Sequence, residues 1–115
     1  MTTQYNDDNV FWRIINSTAP AKRLFEDELC LAFEDVRPQY DVHILFVPKG
    51  RYVDYSDFCA RATNSEVVHF FKALERVAKQ YAIAGHYSLA TNCGTDAGQV
   101  VFHFHVHITS GNRRM

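Results

Sequence analysis

The sequence predicts an α+β domain: an antiparallel sheet with one long helix packed against it. Three observations carry that expectation. Across residues 65–82, Val67, Phe70, Phe71, Leu74, Val77, Ala78 and Tyr81 fall on one stripe at the 3.6-residue helical period. Across residues 100–109, apolar and polar side chains alternate at the period of a strand. Further short apolar runs, bounded by proline and glycine, have the length and composition of additional strands.

The elements follow in order. Residues 11–16 carry Phe11, Ile14 and Ile15 at helical spacing, and Pro20 suits the first position of a short turn. Residues 28–35 read as a buried strand broken by Pro38, and residues 42–47 as a second strand ended by Pro48, Lys49 and Gly50. The long helix has Thr63 and Glu66 at the spacing of a capping box, with Gly85 as its natural stop. Residues 86–92 form a third predicted strand, residues 93–99 a loop, and residues 100–109 the fourth and strongest strand. Residues 1–10 are polar and expected to be frayed, leaving residues 11–115 as a single domain.

Composition narrows the function. A chain of 115 residues with 47% hydrophobic content suffices for one domain with a real core. No apolar run approaches membrane-spanning length, and the acidic start lacks the pattern of a signal peptide, so a cytoplasmic location is expected. A net charge of -1 argues against a broad nucleic-acid surface, though not against a small anionic ligand. Cys30, Cys59 and Cys93 are odd in number and lack C-x-x-C spacing, so reduced thiols are expected.

The chemistry concentrates in His103, His105 and His107. On a strand they share one face, while Phe102, Phe104, Val106 and Ile108 share the other and can lie on the long helix. Three imidazoles on one face gain little packing and risk unpaired ring nitrogens, so the pattern points to function. Neighbouring imidazoles can converge on Zn²⁺, with His43 as a further ligand. Alternatively, one neutral imidazole is a nucleophile and its neighbours carry protons. Spacing alone leaves both open. The preceding loop favours a phosphate: Gly98 permits close backbone approach, and Asn92 and Gln99 offer amide donors. A metal site would call for carboxylate partners, and Asp96 is the nearest acidic residue in sequence.

The run His103-Phe104-His105-Val106-His107-Ile108-Thr109 resembles the histidine triad (HIT) signature, three histidines alternating with hydrophobic residues. Further segments are similar in the same order: Ala19-Pro20-Ala21 with Phe25 to Glu28, Leu31 to Pro38, His43 to Lys49, and the loop from Asn92 to Gln99. The resemblance covers roughly residues 11–111. It implies an antiparallel meander with the long helix and a short N-terminal helix on one face, and a homodimer joined edge to edge. It also implies attack on the α-phosphorus of a nucleoside phosphoramidate or a (di)nucleoside polyphosphate. The product is a nucleoside monophosphate, formed through a covalent nucleotidyl-histidine.

By that resemblance His105 is the nucleophile. One of its ring nitrogens must be free, and the other held as N–H by an acceptor. His107 protonates the leaving group, while His103 and His43 orient the row. Asn92, Gln99 and Gly98 belong to the phosphate site, Asp35 accepts from the ribose hydroxyls, and Phe11, Ile15 and Val36 clamp the base. No metal and no cofactor are required, and the expected partner is a small nucleotide, not a nucleic acid or a membrane.

Several positions depart from the family pattern. Thr109 replaces an aliphatic residue, and Val100 stands where many members carry a hydroxyl that touches the phosphate. Gly50-Arg51 follows Pro48-Lys49 in place of Lys-His, and residues 9–13 lack the cysteines of zinc-binding members. The chain ends soon after the motif, without the longer tail some members extend into the partner's site. The third histidine, His107, is not the glutamine of the transferase branch, which favours hydrolysis. His69 and His86 match no catalytic position. A noncatalytic nucleotide sensor and a histidine metal-binding protein stand as the alternative functions.

Overall fold

The structure, a computed structural model, describes residues 4–114. In chain order it contains α1 (Val10–Ile15), β1 (Arg23–Glu26), β2 (Cys30–Glu34), β3 (Tyr40–Pro48), α2 (Tyr55–Arg61), α3 (Asn64–Tyr81), β4 (Ser88–Ala90) and β5 (Val106–Arg113), with a single 3-10 turn at Thr95–Ala97 before β5. The expected α+β architecture is present. All strand pairs are antiparallel, in the order β1-β2-β3-β5-β4. The expected meander therefore holds only for β1 to β3. β5 inserts between β3 and β4, leaving β4 at an edge.

The central strands are buried on both faces, which explains their nearly continuous apolar sequences. Cys30, Ala32, Ile44, Phe46, Val106 and Ile108 point to one face and pack with Phe58 of α2 and with Phe70, Ala73, Leu74 and Val77 of α3. Leu31, Phe33, Leu45 and Val47, alternating with these, point to the other face, where Phe11 and Ile14 of α1 cover them. This corrects the expectation that both helices lie on one face. Period-2 alternation gives the sheet two apolar faces, and each needs its own cover.

The long helix forms as its sequence requires. Thr63 Oγ1 accepts from Glu66 N at 3.1 Å, and the Glu66 carboxylate accepts from Thr63 N at 3.3 Å, completing the capping box. Its buried stripe includes Ala73, whereas Phe71 is turned outward and 40% exposed. His69 Nε2–H donates to Asp27 Oδ2 at 2.7 Å, tying α3 to the β1–β2 turn. Asp27 Oδ1 accepts from Leu29 N and Cys30 N in that turn. β1 and α2 are not among the predicted elements. α2 is a single capped segment of seven residues, with Asp54 accepting from Asp57 N, and is too short for periodicity to reveal.

Two boundaries are corrected. The ladder of the last strand begins at Val106, not at residue 100, and runs on to Arg113. Before it, Phe104 N donates to Tyr52 O at 2.7 Å, so the backbone there is committed outside the sheet. The expected fraying of residues 1–10 also fails where it is described. Asn9 caps α1 through Trp12 N, Asp7 pairs with Arg51, and Tyr5 reaches His103. Residues 1–3, and Met115 of the predicted domain, lie outside the described residues. Among those described, no helix is long and apolar enough to cross a membrane, and all three cysteines are free.

Candidate active site

A cavity of about 750 Å³ opens on the face of the sheet that α1 partly covers. β3 contributes His43 and Leu45, successive residues on that face. β5 contributes His107 and Thr109, and in the antiparallel register Leu45 faces His107 while His43 faces Thr109. His43 and His107 are thus diagonal neighbours, with ring centroids 5.2 Å apart. His105, just before the ladder, continues the row 5.2 Å from His107. Its ring is met edge-on by Phe11 of α1 at 4.9 Å.

The hydrogen-bond partners dictate where each ring carries its proton, because backbone groups have fixed roles. Gln39 N–H donates to His43 Nδ1 at 2.9 Å, so neutral His43 is protonated at Nε2. That Nε2–H meets His107 Nδ1 at 2.9 Å, with Asp35 Oδ2 also 3.4 Å away. His107 Nδ1 is therefore an acceptor, and its proton lies on Nε2. His105 Nδ1–H donates to His103 O at 2.7 Å, and among the described residues the His105 Nε2 lone pair has no partner. The requirement drawn from sequence, one held N–H and one free nitrogen, is met by a backbone carbonyl two residues away.

The rings are neutral for a common reason. Burial disfavours the charged form of His105, outweighing the opposing effects of the His103 carbonyl and Asp35. Burial, reinforced by His105 and His43, lowers His107 to about 4. Burial lowers His43 as well, against the pull of Asp35. A neutral His105 is the form that can act as a nucleophile.

Of the residues singled out from sequence, the cavity brings together His43, His105, His107, Asp35, Val36, Phe11, Asn92 and Gly98. Three do not line it. His103 is wholly buried, its Nε2–H donating to Pro48 O at 2.7 Å. Gln99 is also buried. Its amide nitrogen donates to Val53 O and Val101 O, and its carbonyl oxygen accepts from Gly94 N, so it braces the loop and presents no donor to a phosphate. Ile15 packs beside the second apolar cluster, while Ile14, one residue earlier, faces the cavity. Gly98 adopts a φ of +94°, and its N–H is taken by Thr95 O, so its contribution is a left-handed turn. Asn92 Nδ2 donates to Ala97 O at 2.8 Å. The carboxylate beside the histidines is Asp35, not Asp96, which is exposed.

The cavity also takes in residues not foreseen: Val10, Ile14, Phe33 and Leu45 on its apolar side, and Arg37, Gln39 and Thr109 nearer the polar end. Leu45 had a sequence signal, since it lies two residues from His43 on the same strand, and Phe33 lies two residues before Asp35, which follows the end of β2. Val100 is 86% exposed at the rim. Asp35, His43 and His107 each offer a ligand atom, and all three atoms lie within 4.8 Å of one another. That is the set a metal-binding alternative would use.

His43, His105 and His107 converge on one cavity, and two of them belong to the alternating histidine run at residues 103–107. The family model for the HIT domain matches residues 16–114, and the chain belongs to the HIT family. It is 45% identical over 114 residues to an uncharacterised 13.2 kDa HIT-like protein of Azospirillum brasilense, covering 98% of this chain and 93% of the relative. It is 42% identical over 110 residues to an uncharacterised HIT-like protein of Rickettsia prowazekii, covering 95% and 92% of the two chains. Among solved structures, the HIT family hydrolase from Clostridium thermocellum superposes with a TM-score of 0.80 at 32% identity, with 93% of each chain covered. A histidine triad protein from Clostridium difficile gives 0.80 at 32% identity, with 97% of each covered.

Proposed function

We propose that this chain is a nucleotide hydrolase that attacks the α-phosphorus of a nucleoside phosphoramidate or a (di)nucleoside polyphosphate. The observation that carries the reading is the free Nε2 of a neutral, pre-oriented His105 facing the cavity beside His107. The His105 Nε2–P bond forms as the bond from phosphorus to the leaving oxygen or nitrogen breaks. Positive charge that develops on His105 is met by the His103 carbonyl at Nδ1–H. His107, protonated as the negative phosphate binds, gives its Nε2 proton to the leaving group and returns to the neutral form, with His43 Nε2 beside its Nδ1 at 2.9 Å. The negative phosphate raises the proton affinity of both rings on binding. Water then attacks the phosphorus and gives its proton to neutral His107, and the His105 Nε2–P bond breaks to release a nucleoside monophosphate.

The apolar lining of Phe11, Ile14, Phe33 and Val36 suits a base, and Asp35, 3.4 Å from His43, is the carboxylate that would accept from a ribose. The reaction asks for no metal and no cofactor. The chain acts as an edge-joined homodimer in the cytoplasm, with β4 as one available edge. Mass spectrometry of protein quenched during turnover tests the mechanism: a nucleotidyl adduct is expected on the His105 peptide and on no other. Stoichiometric metal in the purified protein would instead favour the binding alternative at Asp35, His43 and His107.

Val100 gives a second test. Val100→Ser restores a hydroxyl at the rim of the phosphate end, and one neutral hydrogen bond is worth about 1 kcal/mol. Steady-state kinetics should show kcat/KM rising about fivefold. No rise, or a fall, would mean that the loop places residue 100 out of reach of the phosphate.

A further inference from the structure

The segment that presents His105 lies outside the β5 ladder, which starts at Val106. Phe104 N donates to Tyr52 O, Gln99 Nε2 to Val101 O and Thr91 Oγ1 to His105 O, and none of these bonds holds the His103 carbonyl. The acceptor that fixes the His105 tautomer, the His103 carbonyl, belongs to this unladdered stretch. Its position follows the His103 ring, which is 0% exposed and anchored at both nitrogens. Pro48 O can only accept, so His103 Nε2 carries the proton and Nδ1 is left as a lone pair that must find a donor. Tyr5 Oη is the donor, at 2.5 Å.

Tyr5 is itself held in place. Its ring meets Trp12 edge-on at 5.8 Å, the Arg51 guanidinium lies 4.7 Å above Trp12, and Arg51 pairs with Asp7 at 2.9 Å. Burial keeps its hydroxyl protonated, raising it above the usual phenol range.

We propose that Tyr5 is a positioning residue for the nucleophile: through His103 it fixes the carbonyl that sets which nitrogen of His105 is free. This rests on His105 being the nucleophile. Without the hydroxyl, a buried lone pair on His103 Nδ1 has no donor, and the ring relieves the cost by turning or changing tautomer. Either change loosens the His103 carbonyl and lets His105 populate the unproductive Nε2–H form.

Two-bond ¹H–¹⁵N spectra of histidine-labelled protein at pH 7 test this directly. The wild type should show His103 as Nε2–H, His105 as Nδ1–H, and a slowly exchanging Tyr5 hydroxyl proton. In Tyr5→Phe the His105 signals should move toward a mixture of tautomers. For a nucleoside phosphoramidate, kcat should fall about tenfold with KM within about twofold. In a His103→Asn background, Tyr5→Phe should change kcat less than about twofold, because the link is already cut. An unchanged His105 tautomer pattern with kcat near wild type would overturn the proposal. So would a wild-type His103 carrying its proton on Nδ1, a result that does not depend on the variant folding. Absence of turnover in the wild type would sink the hydrolase reading alone, since the spectra judge Tyr5 without it.

Discussion

Replacing His105 with alanine is expected to lower release of nucleoside monophosphate by roughly four orders of magnitude or more, as loss of a covalent nucleophile does. Binding of a nucleoside monophosphate should change by less than about tenfold. The apolar lining, Asp35, His43 and His107 all remain, and His105 offers a ground-state ligand only one ring nitrogen. The fold should survive, because the ring is packed at the edge of the cavity, against Phe11, and does not belong to the core beneath the helices. Single-turnover assays with isothermal titration on the same samples separate the two effects. Residual turnover within tenfold of wild type would mean that His105 does not attack. Turnover absent from the wild type, with binding intact, would leave a sensor.

Acidification should destabilise the protein steeply between pH 6.5 and 4. His103 is fully buried and held neutral by desolvation, its protonation pushed down to about 4 against an ordinary 6.5. In that window the unfolded chain binds a proton there that the native chain refuses, so stability rises with pH and is fully present above 6.5. The size of the shift sets the loss for His103 alone at about 2–3 kcal/mol by pH 4.5. His107, also lowered to about 4, acts in the same direction. Urea unfolding at pH 7 and pH 4.5 measures the difference. His103→Asn keeps an N–H for Pro48 O but cannot titrate, so its pH dependence should be shallower by about 2 kcal/mol. Equal slopes in the two proteins would show that His103 is not the group being protonated.

Much of the site was legible because period-2 alternation survives the end of the ladder. Phe104, Val106 and Ile108 do share one apolar cluster, and His105 and His107 do share the opposite side. His103 did not follow, since the segment leaves the sheet and the ring is turned beneath Tyr5 and Trp12. Gln99 misled for a related reason. An amide in a glycine-rich loop looks like a ligand donor, but this one is consumed by Val53, Val101 and Gly94. Tyr5 carried no local signal at all. A tyrosine in a polar N-terminal stretch is indistinguishable from a frayed residue until its contact 98 positions away is known.

By itself the sequence determined the long capped helix, the two apolar strands, the histidine spacing and the family. Each depends on neighbours within a few positions, where helical and extended geometry set side-chain direction. Only the tertiary structure decided that α1 covers the histidine face, that β5 lies between β3 and β4, and which nitrogen of each imidazole bears a proton. A tautomer is chosen by whatever donor or acceptor packing brings to the ring, and for His103 and His107 those partners come from distant parts of the chain.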